Sequence, residues 1–303
     1  MSDAFEQVRT RMERELGESG FLDTRRWLRD FPQYTAEIQE FVLAGIEQAS
    51  APDWAPGERE AYDAAVADGI ADALNQARLR AREMKLGARI AAVARREPLP
   101  EGSTRNYARA LLMAFTVYRL YERIPWVDRV KLYKALYLLE EAVGPGVFTS
   151  FEVTAYGLFD LDLRHAEDDA EDRGMRAGWI ELDPKKTEDR SDLFLPGPKA
   201  AEAVVRAPDY LPDPPLAEEF LDLIAGFDGW TLAAWQTIHA VGKALAERGA
   251  TIDVESVTAA IRAEEAWQGN KLGFPEFTDD GIEESLQHLA RLRLLPGENI
   301  SYR

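Results

Sequence analysis

Residues 131–205 constrain the fold more than any other part of the chain. The segment opens on KLYKALYLLEEA, whose apolar residues recur at three- and four-residue spacing and predict a helix. FEVTAYGLF follows, rich in β-branched and aromatic residues, and reads as extended. DDAEDRGMRAGWIEL returns to helical spacing over 160–177 and then enters a strand, and DLFLPGPKAAEAVV runs from a strand into a last helix. The strands at 179–182 and 192–195 flank DPKKTEDRS, a polar loop of turn formers, so a hairpin is expected. Helix, extended segment, helix, strand, loop, strand, helix is the order of a winged-helix unit.

Helical patterns surround this unit. Phe5, Val8, Met12 and Leu16 mark one buried face, and Trp27 and Leu28 sit on a short second helix. Ile38, Phe41, Val42 and Ile46 line a third helix, and a long helical pattern extends from Glu58 to about Glu97 across tolerated glycines at 69 and 87. Pro98, Pro100 and Gly102 form the best linker candidate. Ser103 or Thr104 is placed to cap the next helix, and Asp128 the one after it. Four more helices are expected near 216–227, 231–248, 253–268 and 279–294. The expected fold is therefore mainly α, a multi-helical protein whose central winged-helix-like unit carries a small β-hairpin. Its divisions are a helical domain over 1–98, the winged-helix-like unit over 103–207 and a helical region over 213–303 packed with that unit.

The net charge of −18 opposes binding to nucleic acid or anionic membrane unless basic groups are segregated, and it suits a basic protein partner. Cysteine is absent, which removes disulfides and thiolate chemistry and fits a cytoplasmic protein. The longest strongly apolar run, ALLMAFTVY, is about half of what a bilayer span needs, and the first residues lack the pattern of a signal peptide.

No catalytic, cofactor-binding or metal site is expected. His165, His239 and His288 stand far apart, and no nucleotide-binding or nucleophile motif is present. Glu167, Asp168, Asp169, Glu171 and Asp172 lack the spacing of a calcium loop and read as a solvated acidic helix. One stretch is basic: RLRAREMKLGARIAAVARR, over 78–96, carries seven basic residues against Glu83 alone. Its Arg78, Arg82, Lys85, Arg89 and Arg96 fall within roughly 60° of one another on a helical wheel. This stripe is the candidate surface for a partner or for nucleic acid, unless it packs across the protein's own acidic helices. The wing loop's Lys185, Lys186 and Arg190 are offset by Asp183, Glu188, Asp189 and Asp192, and the helix that would enter a major groove is acidic. Direct DNA reading by the wing unit is disfavoured on that ground. Trp230, Trp235 and Trp267 on the C-terminal helices read as core.

Lys131-Leu132-Tyr133-Lys134-Ala135-Leu136-Tyr137 resembles the KLxKLLY helix of SocA-like antitoxins of the Panacea-domain family. Tyr156-Gly157-Leu158-Phe159 looks like that family's YGP motif, with Leu158 in place of proline. Arg173-Gly174-Met175 through Trp179-Ile180, and Leu195-Pro196-Gly197-Pro198-Lys199, are similar to its later junctions. The resemblance implies a non-enzymatic adaptor that neutralises a toxin or presents a partner in a mobile-element or phage-defence setting. The function expected is an antitoxin-like interaction protein that binds a partner, such as a basic toxin, through its acidic surface. The alternative is a transcriptional regulator that contacts DNA through the 78–96 helix.

Overall fold

The computed structural model describes residues 3–19, 24–38, 41, 58–154, 157–160, 163, 169–183, 192–267, 271 and 273–296. The chain forms two compact units, Met1–Arg82 and Glu83–Arg303, and the division falls inside one helix, α3 (Glu58–Ala92).

In the first unit, α1 (Asp3–Ser19) and α2 (Thr24–Asp30) form as their apolar spacing dictates. Phe5, Val8 and Met12 are buried with Trp27, Leu28 and Ile38 in one cluster. Trp27 stacks on Phe31, ring centroids 5.4 Å apart, and the Arg11 guanidinium covers Trp27 at 5.5 Å. The side chain of Leu16, and Val42 and Ile46, lie outside the described residues.

The second unit is mainly helical with a small antiparallel sheet. Its centre is α4 (Ser103–Tyr121), which buries every residue from Ala108 to Val117. Each large apolar side chain there, such as Leu111, Leu112 or Phe115, contributes about 1.5–3 kcal/mol by leaving water. The N-cap is Gly102, with no side-chain cap, so Ser103 and Thr104 lie within the first turn and do not cap it. Strand β1 (Val127–Asp128) leads into α5 (Arg129–Val143), where the Asp128 carboxylate accepts from Lys131 N at 2.8 Å as the cap. Gly144, left-handed at φ 67°, ends α5.

Strands β2 (Phe151–Thr154) and β3 (Gly157–Asp160) make a two-stranded antiparallel hairpin, Thr154 opposite Gly157. The sequence showed a single extended segment here and a helix beginning at 160. Asp160 instead ends β3, and α6 (Ala170–Ala177) starts only at Ala170, capped by Asp169. The expected second hairpin forms from β4 (Ile180–Leu182) and β5 (Leu193–Pro196), each within one residue of its expected end. β5 also pairs with β1, Val127 opposite Phe194, so the sheet order is β1-β5-β4. Then come α7 (Ala200–Arg206), α8 (Pro214–Ile224), α9 (Gly229–Glu247), α10 (Val254–Ala263) and α11 (Asp279–Arg291). Three of the last four begin on an Asp cap and the fourth on Thr278, which is why their starts are legible. α9 packs along α5, and α10 and α11 pack against α9. No helix among the described residues is long and apolar enough to cross a membrane.

Candidate functional site

The face shared by α5 and α9 is polar where most helix seams are apolar. α5 contributes Lys134, Tyr137 and Glu141, and α9 contributes Gln236, His239 and Lys243. Each set lies at i, i+3, i+7 and so on one side of its helix. The Tyr137 hydroxyl and His239 Nδ1 are 2.7 Å apart, and His239 Nε2 is 3.1 Å from Leu294 O. A carbonyl only accepts, so Nε2 carries the proton and Nδ1 accepts from the tyrosine O–H. Burial pushes His239 down to about 4 and holds the Tyr137 hydroxyl protonated, so this pair is neutral through the physiological range. Lys243 closes the row by donating to Glu141 at 2.8 Å.

A cavity of about 480 Å³ opens on this seam, lined among others by Arg95, Tyr137, Glu141, Phe151, Leu158 and Lys243. Most of its charged groups are already engaged. Arg95 and Lys243 both reach Glu141, at 3.7 and 2.8 Å. Glu140 accepts the backbone amides of Gly146, Val147 and Phe148 at 2.8–3.0 Å. The Tyr137 hydroxyl and both His239 ring nitrogens are spent on one another and on Leu294 O. Among the described residues no group of three or more His, Asp or Glu could hold a metal ion.

Both lysines of the KLYK segment are buried tethers. Lys131 Nζ donates to Ala225 O at 2.8 Å and to Phe227 O, fixing the α8–α9 turn against the start of α5. Lys134 Nζ donates to Leu158 O at 3.2 Å, the same carbonyl that Gln236 Nε2 reaches at 3.0 Å. Lys271 Nζ donates to Thr237 Oγ1 at 2.9 Å. Lys134, Gln236 and Lys271 meet at Gly157, which has φ +107°. A Cβ there would stand 3.0 Å from Lys271 Nζ and 3.2 Å from both Lys134 Nζ and Gln236 Oε1. Only glycine combines this backbone with that approach.

Burial lowers Lys134 to about 7, helped by the charge of Lys271, and lowers Lys271 to about 8. Between these values and the ordinary 10.5 the unfolded chain binds more protons than the folded one, so stability rises with pH across that window. Chemical unfolding of wild type between pH 7 and pH 10 is therefore expected to show a climbing midpoint. The double variant Lys134→Met, Lys271→Met is expected to flatten it.

The basic stripe is placed differently from its helical-wheel reading. α3 stops at Ala92, because Arg96 N and Leu99 N hydrogen-bond to Gly144 O and Gly146 O at 2.9 and 2.8 Å. Arg96 therefore leaves the helix face, and its guanidinium donates to Asp209 O and Leu211 O. Arg89 pairs with Glu219 at 2.6 Å and Asp213 at 3.4 Å. Arg78, Arg82 and Lys85 remain exposed on α3.

The acidic run is only partly a solvated face: Asp172 is exposed, and two other members turn inward. Asp169 and Glu171 are buried, and Glu171 accepts a bidentate pair from Arg129 at 3.0 and 2.8 Å as well as the Tyr133 hydroxyl. Arg129 also pairs with Asp192, so that carboxylate serves the scaffold as well. Glu167, Asp168, His165, Lys185, Lys186, Glu188, Asp189 and Arg190 lie outside the described residues. Trp235 and Trp267 are core, as expected, but Trp230 is 50% exposed. Its place beside the Asp228 cap, in the first turn of α9, was the available signal.

No family model matches the chain, and no curated protein matches its sequence.

Proposed function

We propose that the chain is a non-enzymatic interaction protein of antitoxin-like or regulatory type, built on a winged-helix-like unit over residues 103–207. The order α4, β1, α5, α6, β4, β5, with β5 between β1 and β4, supports the winged-helix reading. In that reading α6 stands where a recognition helix would. The observation that carries the proposal is the Arg129 bridge. It holds Glu171 of α6 inward and ties the base of the wing through Asp192. Glu171 of α6 and Asp192 at the base of the wing are thus spent on the scaffold. Two of the five stripe residues, Arg89 and Arg96, are also engaged internally. The antitoxin-like part of the reading rests on the resemblance of KLYKALY and YGLF, whose Lys131, Lys134 and Gly157 now have a physical role. These residues fix α5 to the α8–α9 turn and to β3.

Two measurements test the proposal. Co-expression with the product of an adjoining gene is expected to yield a stoichiometric complex on size exclusion. Fluorescence anisotropy with a duplex oligonucleotide at low salt is expected to show no saturable binding. Salt-dependent duplex binding that Arg82→Glu with Lys85→Glu abolishes would establish the regulator reading in its place.

A further inference from the structure

The Trp230 ring has one covered face and one open face. Phe274 stacks on it with centroids 4.5 Å apart and planes at 20°, yet the residue is still 50% exposed. The ledge continues along the surface to Val130, itself 37% exposed, because a Cβ at Gly229 would stand only 3.6 Å from Val130 Cγ1. Its other side is acidic. Phe274 leads into Pro275 and Glu276, and Gly281 sits against their backbone, with a would-be Cβ 2.7 Å from Pro275 O. That close approach sets Asp279 and Asp280, both exposed, beside Glu276. From 273 to 284 the chain carries five acidic residues and no lysine or arginine. The nearest cations on α5 are committed inward, Arg129 to Glu171 and Asp192 and Lys131 to Ala225 O and Phe227 O.

An open indole face takes a cation or an apolar chain, and the acidic segment that follows the stacked Phe274 selects the cation. We propose that this ledge seats a basic segment of a partner protein, an arginine or lysine side chain lying on the free face of Trp230 with its charge toward Glu276, Asp279 and Asp280. Arginine fits better than lysine, since its planar guanidinium stacks on the ring while still donating to a carboxylate. The proposal rests on the reading of the chain as a protein-binding one and names the surface and the chemistry of the partner.

The test uses the full chain and a short fluorescein-labelled peptide alternating arginine and leucine, with the glutamate–leucine peptide as its counterpart. The basic peptide is expected to bind, and the acidic one not. Trp230→Leu keeps the apolar bulk and loses the π face, and it is expected to weaken binding about tenfold. Asp279→Asn with Asp280→Asn is expected to weaken it and flatten its salt dependence. A control pair of equal charge change placed elsewhere, Glu255→Gln with Glu265→Gln, is expected to bind as wild type does. Equal binding by Trp230→Leu and wild type overturns the proposal. So does a control pair as weak as the aspartate pair, which would show that net charge alone draws the peptide. A protein complex that forms and survives Trp230→Leu sinks the ledge and spares the function. Peptide binding through Trp230 with no protein complex does the reverse.

Discussion

Glu83→Ala is expected to destabilise the second unit by about 3–5 kcal/mol, the cost of removing one partner from a buried ion pair. Glu83 has no exposed surface, pairs with His288 Nδ1 and accepts from Arg291 Nε at 2.5 Å, so the end of α3 is fastened to α11 by charge. Without the carboxylate, Arg291 loses its buried partner and His288 is left with Glu284 alone, and that desolvation is most of the loss. The same site sets a pH dependence. Burial opposes charging of His288, but hydrogen bonds to Glu284 and Glu83 outweigh it and raise the group above its ordinary 6.5. A raised value in the folded state means that the stabilisation is complete below about 6.5 and is lost as pH rises through the folded value. In urea unfolding, the advantage of wild type over Glu83→Ala is expected to be largest near pH 5 and to shrink toward pH 8. An unchanged midpoint in the variant would show that the carboxylate is not needed there.

One helical turn further on, Gly87→Ala is expected to cost about 3 kcal/mol. A Cβ at this position would lie 2.0 Å from Arg291 O and 3.0 Å from Leu292 C, both backbone atoms that cannot turn aside. The α3 tail and the end of α11 must then separate, which also loosens the Glu83 bridge. Gly69→Ala on the same helix supplies the contrast. Nothing lies within 4 Å of its would-be Cβ, and alanine is the better helix former, so a gain of about 1 kcal/mol is expected. Thermal denaturation of the two variants should shift in opposite directions; a common sign would refute the packing argument.

These two glycines show what a sequence does and does not display. Both read as tolerated interruptions of one helical pattern, because the demand at Gly87 comes from Arg291, some two hundred residues later. The same non-locality explains the other differences. The amphipathic spacing of α4, α5, α8 and α9 is local and appeared directly, as did the Asp128 cap. The end of α3 did not, because it is set by pairing of Arg96 and Leu99 with the turn at Gly144 and Gly146. The acidic run of α6 looked solvated because its counter-ion, Arg129, lies 42 residues upstream of Glu171. β3 was missed since four residues, Gly157–Asp160, are too few to establish a period of two. For the candidate site, the charges of the stripe were legible but their engagement was not: Arg89 finds Asp213 at a separation of 124 residues. Trp230 was legible as an aromatic on a helix, and only the fold distinguishes it from Trp235.

The acceptors that hold this scaffold have a consequence for how it can diverge. Lys131, Lys134, Arg96, Arg105 and Arg109 all end on main-chain carbonyls, those of Ala225 and Phe227, Leu158, Asp209 and Leu211, and Val147. Every residue type supplies that oxygen. The turns carrying these carbonyls can therefore change their side chains while the cations keep their grip, provided that the backbone path is kept. Selection acting on a new partner could rewrite the loop beside Trp230 without first rebuilding the core beneath it.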